Sequence, residues 1–261
     1  MDLDLSRPRR VHVVGIGGAG MSAIASVLAA MGHEVSGSDL KASPGLERLA
    51  AQGVAVAVGH SAENVPAGAD VLAVSTAVPE RNPEVRAARE RGVPVARRSE
   101  VLAAICGTRR ALAVAGTHGK TTTSSMLALI LVEAGLRPSF LIGGDVNEVG
   151  TGAVWDGDDL LVVEADESDG TFLELPAWGG LVTNVEADHL DHFGSAEALR
   201  DAFERFVAGL PGPRVVGVDL AWGADLARRS RAAGVDVATV GAVADADYRV
   251  HGLEVGRARA A

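Results

Sequence analysis

The 261-residue chain has one cysteine, Cys106, so no internal disulfide is available to it. Long apolar runs are also missing. The longest at helical register, Met126 to Val132, falls far short of the roughly 18 to 20 residues that span a bilayer. The start, Met1-Asp2-Leu3-Asp4, has neither the basic end nor the apolar stretch of a secretory signal. These absences point to a cytoplasmic protein with no membrane partner. Basic residues are in deficit, 24 against 34 acidic, and the formal charge of -10 is the wrong sign for a surface that holds nucleic acid through its phosphates. No fixed-period repeat and no low-complexity tract interrupts the chain. What is present is material for ordinary cores: 48% hydrophobic and 22% charged residues, with a mean hydropathy of +0.20. At roughly 150 residues per domain, the length suits two domains.

From Val11 to about Ile105, short β-branched runs alternate with alanine-rich segments of helical length, the pattern of a parallel sheet wrapped by helices. Strands are expected at 11–15, 34–38, 54–58, 70–74 and 93–96. The polar hinge Cys106 to Arg110 restarts the α/β pattern, so the division expected is 1–106 and 107–261. The second series opens with Ala111 to Ala115 and a long helix whose Met126, Leu127, Ile130, Leu131 and Ala134 share a face, which predicts that this face packs on a sheet. Further strands are expected near 160–164, 180–184, 214–218 and 235–239, with an amphipathic helix from about Ser195.

Two glycine loops carry the chemistry. The first, Gly15-Ile16-Gly17-Gly18-Ala19-Gly20, follows Val11 to Val14 and precedes a helical segment, as a pyrophosphate-binding G-x-G-x-x-G turn requires. Asp39 closes the second strand, 19 positions after Gly20, where such folds often place a ribose-binding acid. NAD, FAD and UDP-sugars all carry a pyrophosphate, so this loop alone fits a nicotinamide-dependent oxidoreductase as well as an enzyme of sugar nucleotides.

The second loop, Gly116-Thr117-His118-Gly119-Lys120-Thr121-Thr122, ends in the G-K-T of a P-loop, although Val114 stands where the full pattern has its first glycine. Its backbone N-H groups would cradle phosphates, Lys120 would reach the β and γ oxygens, and Thr121 would help hold Mg2+. Acidic clusters follow two apolar strands, Glu164 to Asp169 and Glu186 to His192. Strand ends at one rim of a parallel sheet could bring Glu164 and His189 to the P-loop as further metal ligands. Glu186, Asp188 and Asp191 stay ambiguous, and His192 reads as a surface residue.

In order, the loop from Gly15 to Met21, Ser75-Thr76-Ala77-Val78, A-G-T-H-G-K-T-T-T, E-A-D-E-S-D and N-V-E-A-D-H-L-D resemble the Mur ligase family, most closely its L-alanine-adding members. The resemblance implies a Rossmann-like parallel-sheet domain for a UDP-sugar, then a P-loop α/β ATPase domain. It also implies ATP-dependent joining of L-alanine to the lactyl carboxylate of UDP-N-acetylmuramate through an acyl phosphate, in peptidoglycan precursor synthesis. By the same resemblance, Lys120, Thr121, Glu164 and His189 hold triphosphate and Mg2+, and Gly17, Gly18, Ala19, Gly20, Met21 and Ser22, with Gly15, face the UDP diphosphate. Asp39, His60, Ser75 and Arg98 are candidates on the uridine side. The family's third domain is expected outside the chain, which stops at Ala261 within the central one, so the chain by itself is expected to be incomplete for catalysis. A non-catalytic nucleotide-binding module is the alternative.

Overall fold

The computed structural model describes residues 3–146, 151–168, 170–188 and 190–252. It is a mixed α/β protein with parallel sheets and two compact units, one of residues 1–112, 121–164 and 174–177, the other of 113–120, 165–173 and 178–261.

The first unit opens with β1 (Arg10–Val14), α1 (Ala19–Ala30), β2 (Glu34–Asp39), α2 (Pro44–Ala51), β3 (Ala55–Val58), β4 (Val71–Val74), α3 (Pro83–Glu90), β5 (Val95–Arg97) and α4 (Arg98–Cys106). The strands form one parallel sheet in the order β3-β2-β1-β4-β5, with the order reversing beside β1. Val11, Val13, Val14, Leu72 and Ala73 are almost wholly buried, as expected of strands covered on both faces. Local chemistry starts two of the helices. Ser43 caps α2 by accepting from Leu46 N at 3.3 Å, Asn82 caps α3 by accepting from Glu84 N at 2.8 Å, and a proline follows each cap. All five expected strands occur within two residues of the expected bounds.

The chain continues with β6 (Arg110–Ala115), α5 (Lys120–Glu133), β7 (Ser139–Val146), β8 (Thr151–Val154) and β9 (Leu160–Glu164). In the first unit β7 pairs antiparallel with β8 and parallel with β9. This hairpin was not expected from the sequence, where Gly143 and Gly144 interrupt the short apolar run Phe140 to Ile142.

The expected packing face of α5 needs correction. Met126 and Ile130 are 57% and 61% exposed, whereas Ser124 and Ala128 are the buried pair, with Leu127 and Leu131 half-buried beside Phe140, Ile142 and Val162. Apolar residues surround this helix, so periodicity cannot single out a face. Close approach of the helix to the sheet then selects the smallest side chains for the contact line.

In the second unit, β10 (Gly179–Val182), α6 (Leu190–Phe193), α7 (Ala196–Gly209), β11 (Arg214–Gly217), α8 (Ala221–Ala232), β12 (Ala238–Gly241) and β13 (Tyr248–Arg249) follow in order. The strands β10 to β13 pair in parallel, each with the next. Ser195 caps α7 through Ala198 N at 3.1 Å, and Leu199, Ala202, Phe203, Phe206 and Val207 form its buried stripe, as the amphipathic pattern predicts. Phe172 packs on Phe203 and Phe206 with ring centroids 5.2 and 5.3 Å apart. The strand expected at 235–239 starts three residues later, at Ala238.

Candidate functional site

The first glycine loop turns between β1 and α1. Gly15 has φ +78°, and the amides of Gly15 and Ile16 both donate to the Ser38 carbonyl, at 2.8 and 3.0 Å. Gly18 precedes α1 without a side-chain cap, so among the described residues the first-turn amides of Ala19 and Gly20 have no intrahelical acceptor and no capping side chain. The Arg98 guanidinium lies against Gly20, where a Cβ would come within 2.8 Å of Nε, and that Nε is buried without a hydrogen-bond partner among the described residues. Ser75 stands beside Gly15, so near that a Cβ on the glycine would lie 3.3 Å from its own. Uncapped amides, an orphaned guanidinium nitrogen and close backbone approach fit a diphosphate.

Three residues expected here have other surroundings. Met21 is 2% exposed, its side chain in the core, so only its backbone is available to a ligand. Asp39, expected as a ribose acid, accepts from Gly17 N at 2.9 Å and ties the end of β2 to the loop. His60 shares its Nδ1 between Ser38 Oγ at 2.9 Å and Glu84 Oε1 at 3.2 Å, inside a buried polar cluster rather than facing the loop. Ser22 is partly committed too, since its hydroxyl donates to Ala19 O at 2.9 Å.

The second loop turns between β6 and α5. Gly116 has φ +128°, and a Cβ there would press on the Asn184 backbone at 2.9 to 3.0 Å. Asn184 brackets the loop from outside. Its Oδ1 accepts from His118 N at 2.9 Å, its Nδ2 donates to His118 O at 2.8 Å, and its carbonyl accepts from Thr117 N at 3.1 Å. Thr117 is buried, its hydroxyl accepting from Glu186 N at 3.0 Å, while the His118 side chain is exposed. With these loop amides engaged, the amides left to an anion are those opening α5 around Gly119, Lys120, Thr121 and Thr122.

Lys120 Nζ donates to Gly116 O at 2.9 Å and forms an ion pair with Glu167 at 2.8 Å. The pair is nearly dry, with side chains 15% and 1% exposed. Burial pushes the Glu167 carboxyl above its ordinary range, against the opposing pull of its hydrogen bond from Lys120.

In the first unit, Thr121 Oγ1 lies 3.1 Å from both oxygens of Glu164, and Glu164 Oε2 also accepts from Gly143 N at 2.8 Å. A hydroxyl and a carboxylate are the hard oxygen donors Mg2+ prefers, and neighbouring ligands in its octahedral shell lie roughly 2.9 Å apart. The pair therefore fits one edge of such a shell. Among the described residues no group of three or more His, Cys, Asp and Glu is arranged around a metal position, and His189 lies outside them.

Sequence reasoning did not single out Glu167, Asn184, Glu84 or His12. Glu167 and Asn184 sit within the acidic motifs, but neither residue type announces which loop it will brace.

Two family descriptions match consecutive parts of the chain. The description "Mur ligase family, catalytic domain" matches residues 10–110, and "Mur ligase middle domain" matches 114–259. The chain is 51% identical over 261 residues to the UDP-N-acetylmuramate--L-alanine ligase of Kineococcus radiotolerans, covering 98% of the chain and 55% of that protein. It is 48% identical over 249 residues to the protein of the same name from Renibacterium salmoninarum, covering 95% of the chain and 53% of the relative. The chain thus spans about half the length of these curated relatives. Among solved structures, the UDP-N-acetylmuramate-alanine ligase of Thermotoga maritima superposes with a TM-score of 0.78 at 31% identity, over 89% of this chain and 52% of that one. The UDP-N-acetylmuramate:L-alanyl-gamma-D-glutamyl-meso-diaminopimelate ligase of Neisseria meningitides superposes at 0.79 and 30% identity, over 90% and 78%. With both family descriptions matched along nearly its whole length, the chain belongs to the Mur ligase family.

Proposed function

We propose that this chain provides the two nucleotide cradles of an ATP-dependent ligase that joins L-alanine to the lactyl carboxylate of UDP-N-acetylmuramate through an acyl phosphate. Residues 1–106 form the UDP-sugar domain in this reading and residues 107–261 the ATP domain, in a cytoplasmic enzyme of peptidoglycan precursor synthesis. The observation that carries it is the chemistry at consecutive residues, a buried ammonium at Lys120 and a hydroxyl at Thr121 set against the Glu164 carboxylate. The names borne by the half-identical relatives support the same substrates. The uncapped start of α1 and the orphaned Arg98 Nε support a diphosphate at the first loop.

The barrier such a reaction must lower is charge repulsion. Two unit charges brought to 4 Å cost about 4 kcal/mol at an effective dielectric of 20, and an incoming carboxylate meets several on a triphosphate. Lys120 would donate to the β and γ oxygens, and the amides opening α5 would add fixed dipoles that cost no reorganisation. Thr121, Glu164 and, as a neutral imidazole, His189 would hold Mg2+, which when bound supplies further neutralisation of the phosphate charge. No side-chain nucleophile is required, because positioning and electrostatics suffice.

Calorimetric titration of the chain with UDP-N-acetylmuramate, ATP with Mg2+, and NADH tests the reading. Saturable binding of the first two and none of the third is expected. Binding of NADH in preference to the UDP-sugar would overturn it in favour of nicotinamide chemistry. In the full-length protein, Lys120→Ala should abolish L-alanine-dependent phosphate release while leaving UDP-sugar affinity within about threefold, below the tenfold that corresponds to 1.4 kcal/mol.

A further inference from the structure

Beneath the first glycine loop lies a charged cluster that the proposed chemistry does not use. Glu84, in the first turn of α3, is completely buried and accepts five hydrogen bonds. His12 Nε2 at 3.0 Å and Ser38 Oγ at 2.6 Å meet Oε2, while Asn64 Nδ2 at 2.9 Å, Ser61 N at 3.1 Å and His60 Nδ1 at 3.2 Å meet Oε1. His12 is 1% exposed, and its Nδ1 reaches Ser36 Oγ at 2.8 Å. A strand of each sequence neighbour thus contributes, β1 through His12 and β2 through Ser36 and Ser38, joined by the segment after β3.

Burying this much charge is not an economical way to stabilise a fold, since well-packed apolar residues usually do as well or better. A fully satisfied buried network does, however, impose one geometry on the backbone that carries it. The backbone imposed on here is the end of β2. Ser38, whose hydroxyl is bound by Glu84, offers its carbonyl to both Gly15 N and Ile16 N, and the next residue, Asp39, takes Gly17 N. Three successive amides of the loop therefore hang on Ser38, which Glu84 binds directly, and on Asp39, the residue bonded next to it in the chain. Space allows little alternative, because a Cβ at the neighbouring Gly37 would strike Val13 O and Ile16.

We propose that Glu84 is a positioning residue for the Gly15–Gly20 loop, acting through Ser38 and Asp39 to preset the amides that receive a nucleotide diphosphate. The ligand in this statement rests on the function proposed above. The positioning itself does not.

Hydrogen exchange and calorimetry on Glu84→Gln, Ser38→Ala and the double variant separate the two. Glu84→Gln should speed exchange at Gly15, Ile16 and Gly17 and weaken UDP-N-acetylmuramate binding about tenfold or more, as expected for hydrogen bonds to a charged group. Affinity for ATP with Mg2+ should stay unchanged, which a general loss of stability would not permit. Ser38→Ala removes only the hydroxyl link and keeps the carbonyl, so it should act in the same direction and add little to Glu84→Gln in the double variant. If Glu84→Gln does not fold, Ser38→Ala decides alone. Unchanged loop exchange in a folded variant, additive effects, or an equal fall in ATP affinity would each overturn the proposal. Should the parent chain bind no UDP-sugar while loop exchange still responds, the ligand reading fails and the positioning stands.

Discussion

Lys120→Ala is the natural way to remove the phosphate-binding ammonium, and the structure predicts that it also weakens the fold. Lys120 is the cation beside Glu167, whose side chain is 1% exposed, and the 2.8 Å pair is almost sealed from water. Removing one partner of a buried pair costs about 3 to 5 kcal/mol, and the 15% exposure of Lys120 argues for the lower end. At roughly 2 to 4 °C per kcal/mol for a domain of 150 to 250 residues, about 3 kcal/mol lowers the melting midpoint by about 6 to 12 °C. The loss should depend on pH. Burial already raises the Glu167 carboxyl, and deleting Lys120 removes the hydrogen bond and charge that oppose it. A folded pKa above the unfolded one means that the fold binds more protons, so stability is lost as pH rises through the folded value. The deficit of Lys120→Ala should therefore be largest near pH 8 and shrink toward pH 5. Adding Glu167→Gln to Lys120→Ala should recover most of the lost stability but none of the ATP affinity. Differential scanning fluorimetry across pH, with calorimetry for ATP, measures all of this. A Lys120→Ala protein that melts within 1 °C of the parent at pH 8 would refute the reasoning.

Glu84 should govern an acid transition. Burial raises its carboxyl, but hydrogen bonds from His12, Ser38 and Asn64, with an electrostatic contribution from His12, outweigh that and hold it at about 2 against an ordinary 4.5. A depressed carboxyl contributes stability above its unfolded value and loses it as pH falls through the folded one, here about 3 kcal/mol at 1.36 kcal/mol per unit. His12 and His60 are the titratable groups that face it. Urea unfolding between pH 5 and pH 2.5 should show this loss in the parent and not in Glu84→Gln, and equal slopes would contradict it. Thr121→Val should remove the Mg2+ dependence of ATP binding with UDP-sugar affinity unchanged, read by titration with and without the metal. On α5, Met126→Gln with Ile130→Gln should shift urea stability by no more than about 0.5 kcal/mol, because both are exposed. Ala128→Leu should cost about 1 to 3 kcal/mol, because Ala128 is 1% exposed in a packed contact.

The alternation of strands and helices, the two glycine turns and the Ser195 cap were all legible in the sequence, because each is a local signal. A β-branched run, a glycine with positive φ or a serine before a helix acts on its own backbone within a few residues. Where local signals were uniform they misled, as on α5, whose all-round apolar surface leaves several faces equally plausible until the sheet selects one. The β7–β8 hairpin escaped notice because glycines dilute its pattern.

The sequence by itself therefore determined the alternation of strands and helices outside the β7–β8 hairpin, the parallel sheets and the placing of a glycine loop after β1 and after β6. Tertiary structure alone decided what braces those loops. Glu84 meets His12 across 72 positions, His118 meets Asn184 across 66, and Lys120 meets Glu167 across 47. A carboxylate or carboxamide has the same local preferences whether it faces water or closes a buried network, and only the folded chain supplies the partners and excludes the solvent that make the difference.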